Sequence, residues 1–94
     1  MFDIKINDGR EICLVGRLNA SHSNKLEVGL DSITSNCTID LSELEYISSA
    51  GLGSLVKTYT RLEKSGNSIK FIKMNNHIKE VFKYCGLDKV FIIE

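Results

Sequence analysis

Apolar and polar residues alternate from the start of the chain, with Phe2, Ile4 and Ile6 separated by Asp3, Lys5 and Asn7. A period of two is that of a strand with one buried face and one wet face. Asn7-Asp8-Gly9 follows. Asp-Gly supplies the positive backbone angles of a tight hairpin turn, so the chain is predicted to double back there. The return strand, Glu11 to about Arg17, is mostly apolar through Ile12, Cys13, Leu14 and Val15, as suits a more central position. The period then changes. Leu26, Leu30 and Ile33 recur at i, i+4 and i+7 behind Ser21 and Ser23, the spacing and capping residues of a helix. Leu52, Leu55, Val56, Tyr59 and Leu62 form a longer helical stripe that ends at Ser65-Gly66, where glycine can take the left-handed closing conformation. Ile78, Val81, Phe82 and Cys85 form a third stripe, opened by Asn75 or Asn76 and closed by Gly86.

Short strands are predicted between the stripes, at Cys37 to Leu41, Ile69 to Ile72 and Val90 to Ile93. The expected order is β-β-α-β-α-β-α-β. Repeated strand–helix–strand steps imply parallel neighbours joined by right-handed crossovers, so the fold class is α/β with a mixed, mostly parallel sheet and an N-terminal hairpin. In the third strand Cys37, Ile39 and Leu41 alternate with Thr38 and Asp40, and in the fourth Ile69 and Phe71 bracket Lys70. A parallel sheet covered on both faces reads as continuous apolar runs. These strands are polar on one side, so the helices are expected mainly on a single face.

Length and charge narrow the function. Ninety-four residues are expected to form one domain, residues 1–94, with a folded surface of roughly 5,400 Å². Twelve Lys+Arg cancel twelve Asp+Glu, leaving no basic field to gather nucleic acid or an anionic membrane. Apolar runs are too short to span a bilayer, and the first residues lack the apolar stretch of a signal peptide. A cytoplasmic protein is expected. Cys13, Cys37 and Cys85 are widely spaced, without a CxxC or Cys/His cluster, so no metal is expected and all three are read as buried, reduced thiols.

The densest chemistry lies in Asp40-Leu-Ser-Glu-Leu-Glu-Tyr-Ile-Ser-Ser-Ala-Gly-Leu-Gly-Ser-Leu-Val56, which passes from a strand through a short loop into the second helix. Ser48 and Ser49 stand at the helix start, with Gly51 and Gly53 in its first turn. Free N–H groups and the positive end of the helix dipole point at the serines, and the glycines leave a bare backbone that another molecule can approach. One serine can simply cap the helix. A nucleotide loop fits poorly, since Gly51-Leu-Gly53-Ser54-Leu55-Val56 lacks the third glycine of GxGxxG and no GxxxxGK[ST] occurs. A hydrolytic serine would need GxSxG, and His22 and His77, the only candidate bases, read as surface residues near helix starts. A phosphorylation switch fits the geometry: a phosphoserine places about two negative charges where the dipole and free amides accept them.

This segment resembles the STAS domain of bacterial anti-sigma factor antagonists. The family pattern, roughly [LV]-D-L-S-x-[VL]-x-[YF]-[IM]-D-S-[SA]-G-L-G, lies over Ile39 to Gly53. Gly16-Arg17-Leu18-Asn19-Ala20 is similar to the family's G-x-[LI]-[DN]-x segment, and Gly86-Leu87-Asp88-Lys89-Val90-Phe91 to its closing G-L-D-K-[VI]-F. The resemblance implies the STAS fold and a non-enzymatic regulator. It implies as partner an anti-sigma factor that is a serine kinase of the histidine-kinase-like ATPase fold. The dephosphorylated antagonist binds that kinase and frees the sigma factor; phosphorylation releases it, and a metal-dependent serine phosphatase reverses the mark. ATP belongs to the kinase, so the antagonist itself carries no cofactor. The family's acceptor serine precedes G-L-G by two residues, which places it on Ser49. Family members often carry aspartate just before it, where this chain has Ser48, a second hydroxyl and the lesser candidate.

The resemblance and the motif together place partner contacts at Asn19, Ser21, Ser48, Ser49, Ala50, Gly51, Leu52 and Gly53, within a surface formed by the turn 48–53, the loop 19–24 and the outer side of the second helix. Thr58, Arg61 and Lys64 lie off that helix's apolar stripe and read first as a solvated charged face, with contact to the kinase the lesser reading. Leu52 is either core or a protruding anchor. Two other classes stay open: a STAS scaffold without a phosphorylation cycle in a signalling or transport complex, and an enzyme or nucleotide-binding module using the Gly51/Gly53 turn.

Overall fold

The computed structural model describes residues 2–7, 11–31 and 33–94. Strands β1 (Phe2–Asn7) and β2 (Glu11–Leu18) pair antiparallel from Phe2 opposite Gly16 to Asn7 opposite Glu11. The hairpin is therefore present, while Asp8 and Gly9 of its predicted turn lie outside the described residues. A 3-10 turn at Ala20–His22 leads into α1 (Ser23–Asp31), followed by β3 (Cys37–Asp40), β4 (Leu44–Ile47), α2 (Ser49–Lys64), β5 (Ile69–Ile72) and α3 (Asn76–Tyr84). A second 3-10 turn at Leu87–Lys89 precedes β6 (Ile92–Ile93). The sheet runs β1-β2-β3-β5-β6, with every pairing after the hairpin parallel.

β4 is a strand where the pattern predicts only a loop. It pairs with the far end of β2, Gly16 opposite Leu44, Arg17 opposite Tyr46 and Leu18 opposite Ile47. The register shifts between Gly16 and Arg17, and Gly16 has φ 94°, a backbone angle that side-chain-bearing residues rarely adopt. This kink lets one edge of β2 serve β3 first and β4 afterwards. The final strand is also shorter than expected, because Val90 belongs to the turn after Lys89 and is exposed.

One face of the sheet carries the core. Ile12, Leu14, Ile39, Ile69 and Phe71 are all but inaccessible and cluster with Leu26 and Leu30 of α1, Leu52, Leu55 and Leu62 of α2, and Ile78 and Phe82 of α3. The intervening Val15, Thr38, Lys70 and Ile72 stay half-exposed, so the single-faced helical layer read from the alternation is present. Phe71 meets Phe91 at 4.7 Å and Phe82 at 5.6 Å between ring centroids, contacts that each add about 0.5–1.5 kcal/mol beyond their buried area. Accessible surface is 5346 Å², close to the size-based expectation.

The ends of α2 and α3 follow the predicted chemistry, whereas at the start of α1 the Ser23 hydroxyl donates back to the Ala20 carbonyl at 2.9 Å instead of accepting from a first-turn N–H. Asn75 caps α3, its Oδ1 accepting from Ile78 N–H at 2.9 Å, and Gly66 and Gly86 take φ 82° and 76° after α2 and α3. Some stripe positions depart from expectation. Val56 is 36% exposed, and Ile33 is buried but lies beyond the end of α1. Cys13 and Cys37 are buried free thiols, whereas Cys85 is exposed: it follows the last turn of α3, where the stripe has rotated off the core. No group of three or more His, Cys, Asp or Glu side chains among the described residues is placed to hold a metal ion. Among the described residues no helix is long and apolar enough to cross a membrane.

Candidate functional site

The two serines at the start of α2 differ in what their hydroxyls do. Ser48 has extended backbone (φ −85°, ψ 167°) and is the N-cap: its Oγ accepts from Gly51 N–H at 3.1 Å, and its carbonyl accepts from Leu52 N–H at 2.9 Å. Its own N–H donates to the Leu18 carbonyl at 2.9 Å, tying the cap to the end of β2. Ser48 is half-buried and Ser49 exposed. No group among the described residues bonds the Ser49 hydroxyl, and the N–H groups of Ser49 and Ala50 find no acceptor there either. The first turn of α2 carries no acidic residue, so nothing within the turn offsets the positive end of a sixteen-residue helix.

Neighbouring side chains divide between surface and core. Ala50 and Gly53 are exposed, as are Ala20 and Ser21 across from them, with Asn19 half-buried between. The loop and the helix tip are fastened together by the Ser48–Leu18 bond and by the Ser54 hydroxyl, which donates to Ala50 O at 3.2 Å and reaches Ser23 O at 3.5 Å. These bonds hold the segment with half-buried Asn19 and exposed Ser21 to the helix tip with exposed Ser49, Ala50 and Gly53.

Gly51 and Leu52 are corrections to the expected partner contacts. A Cβ on Gly51 would sit 2.8 Å from Leu18 Cδ2 and Cγ and 3.2 Å from Ile47 Cγ1. Gly51 is thus a packing glycine facing the core, and only Gly53, with nothing within 4 Å of its Cβ position, leaves open backbone. Leu52 is 7% exposed and belongs to the core rather than protruding as an anchor. The paired-glycine cradle needed by a nucleotide loop does not form, because one of its two glycines is turned inward.

The charged face expected on α2 is also smaller. Thr58 is buried and donates its hydroxyl to Ser54 O at 3.1 Å. Arg61 Nη1 and Nη2 donate to the carbonyls of Ile33 and Leu30 at 2.9 and 2.8 Å, so its guanidinium closes the C-terminal end of α1. Of the three, only Lys64 is a plain solvated charge. His77 is exposed in the first turn of α3. His22 Nδ1 lies 3.3 Å from Asn19 N and 3.0 Å from Arg17 O, with its ring stacked on Phe2, a local role at the 3-10 turn.

Sequence reasoning missed one feature beside the site. Arg17, exposed and one residue before the carbonyl that holds Ser48, lies over the Tyr46 ring at 4.7 Å, a cation–π contact. Only recognition of β4 would have brought the two residues together.

Residues 7–94 match the family model described as Mlab, STAS domain. BtrV of Bordetella bronchiseptica, assigned by inference as an anti-sigma factor antagonist, is 30% identical over 83 residues, covering 84% of this chain and 72% of BtrV. Among solved structures, an anti-sigma factor antagonist from Mycobacterium paratuberculosis has the same fold at a TM-score of 0.81 and 23% identity, covering 99% of this chain and 83% of the other. Phosphorylated SpoIIAA of Bacillus matches at 0.72 and 13% identity, covering 100% and 91%, and unphosphorylated SpoIIAA at 0.73 and 11%, covering 100% and 87%. With its N-terminal hairpin, parallel remainder and one-sided helical layer, this chain belongs to the STAS domain family, in the anti-sigma factor antagonist group of non-enzymatic regulators.

Proposed function

We propose that this protein is a cytoplasmic anti-sigma factor antagonist switched off by phosphorylation at Ser49. The unmodified form binds an anti-sigma factor that is a serine kinase of the histidine-kinase-like ATPase fold. The carrying observation is the division of labour at the tip of α2. Ser48 spends its hydroxyl on the helix cap, while Ser49 is exposed beside two amides that have no acceptor among the described residues. In the transfer, the Ser49 oxygen bonds to the γ-phosphorus of ATP, the bond from that phosphorus to the bridging oxygen breaks, and ADP leaves. The hydroxyl proton passes to a base of the kinase.

The Ser49 hydroxyl takes no part in the cap bonds, so added phosphate leaves the Ser48–Gly51 and Ser48–Leu18 contacts intact. A dianion at this end of a helix is favoured by about 0.3–1 kcal/mol per charge. The switch therefore acts on docking and leaves the fold standing, in keeping with a relative, SpoIIAA, whose phosphorylated and unphosphorylated structures both share this fold. Asn19, Ser21, Ala50 and Gly53 form the docking rim, and a serine phosphatase resets the mark.

The test is incubation with the cognate anti-sigma kinase and ATP, with phosphate located by peptide mass spectrometry. Phosphate on Ser49, lost in Ser49→Ala, supports the assignment. Phosphate that persists in Ser49→Ala moves the acceptor to Ser48. No phosphate in the wild-type chain removes the switch and leaves a STAS scaffold of a signalling or transport complex.

A further inference from the structure

The β1 strand lies at one side of the sheet and pairs only with β2 among the described residues. Two contacts show which of its backbone groups face outward. The Ile4 N–H donates to the Asp3 carboxylate at 2.9 Å, and the Phe2 carbonyl accepts from Lys25 Nζ at 3.0 Å. Both groups therefore point away from β2, and the two-residue period puts the N–H and C=O of Ile6 on the same side. The guard over this edge is slight. Lys25 and Asp3 meet at 3.8 Å with both side chains 55% exposed, and an ion pair so exposed adds little stability.

The strand is complementary to itself. Against a second copy, antiparallel about a two-fold axis through Ile4, the outward groups of Ile4 meet their equivalents and those of Phe2 meet those of Ile6. Asp3 then stands opposite Lys5 twice. Neighbouring registers that keep the same backbone groups paired set Asp3 against Asp3 or Lys5 against Lys5. Charge and backbone thus select one register. Exposed apolar side chains flank this edge. Ile6 is 49% exposed, and Val28, 63% exposed, follows Lys25 by one turn of the helix whose lysine reaches Phe2.

We propose that β1 is a dimerisation edge that accepts a second copy of this chain in the register Asp3 to Lys5, joining two sheets into one. The inference is independent of the Ser49 switch.

Sedimentation equilibrium of the full chain tests it, in reductant so that exposed Cys85 cannot cross-link. A monomer–dimer equilibrium is expected within the range up to about 1 mM. Lys5→Asp and Asp3→Lys each set two like-charge pairs across the axis, and each should raise the dissociation constant about tenfold. Mixed in equal amounts, the two variants recreate opposite-charge pairs and should form a heterodimer with close to wild-type affinity. Misfolded chains would not recover on mixing, and far-UV circular dichroism checks each fold directly. A wild-type chain that stays monomeric across the range overturns the proposal. So does a dimer indifferent to Lys5→Asp, or variants that ignore one another.

Discussion

Gly51 and Gly53 stand two residues apart in one helix, yet alanine should act on them with opposite signs. In Gly51→Ala the new methyl would lie 2.8 Å from two atoms of Leu18 and 3.2 Å from Ile47 Cγ1. Neither neighbour can step aside easily, since Leu18 is inaccessible and pinned in β2, and Ile47 is 4% exposed in β4. Overpacking of this kind costs about 1–3 kcal/mol. Replacing glycine in a helix returns up to about 1 kcal/mol, less in a first turn, so the net expectation is a loss of about 1–2 kcal/mol. Gly53→Ala meets nothing within 4 Å and keeps only the gain, about 0.5–1 kcal/mol. The two variants should thus differ by about 2 kcal/mol. In urea unfolding followed by circular dichroism, at a slope of about 1–2 kcal/mol per molar for a chain this small, their midpoints should separate by at least 1 M. Equal midpoints, or a Gly51→Ala variant more stable than wild type, would refute the inward packing of Gly51 and restore it to the docking surface.

Two further outcomes follow from the same structure. Ser48→Ala removes the cap on Gly51 N–H and should cost about 1 kcal/mol in the same urea experiment. Ser49→Ala should cost next to nothing, and a reversal of the two would exchange the serines' roles. The buried thiols should make stability fall in alkali. Burial pushes Cys13 and Cys37 above the ordinary 9.0, reinforced at Cys13 by the Glu43 hydrogen bond and nearby carboxylates and opposed at Cys37 by Arg61. The unfolded chain therefore releases these protons first, so the contribution is whole below about pH 9 and is lost as pH rises beyond it. Removing both thiols as alanine should flatten that alkaline slope; an unchanged slope would show that they carry none of it.

Much of the fold is legible because its buried positions repeat. The alternations of β1, β3 and β5 and the stripes of α1, α2 and α3 each recur often enough to reveal an element and the face it buries. Legibility fails where a residue's role depends on a neighbour distant in sequence. Arg61 reads as a surface charge until the last carbonyls of α1 arrive beside it, and Thr58 reads as exposed until its helix is laid against α1. Cys85 fails for a local reason: it continues a stripe one step past the helix that gave the stripe its meaning.

The missed strand and the undivided serines are a single failure of this kind. Leu44-Glu45-Tyr46-Ile47 has apolar residues at its ends and only one half-buried side chain between them, too short a pattern to announce a strand. Its pairing nevertheless carries Ile47 alongside Leu18, and the next residue, Ser48, then finds the Leu18 carbonyl within 2.9 Å of its N–H. That bond holds Ser48 in extended backbone and so makes it the cap. The helix must then begin at Ser49, whose hydroxyl is left exposed. Without β4 the two serines are adjacent and chemically identical. With it, one closes the helix and the other is displayed, so a break in the Leu18–Ile47 pairing should blur their roles before it disturbs the core.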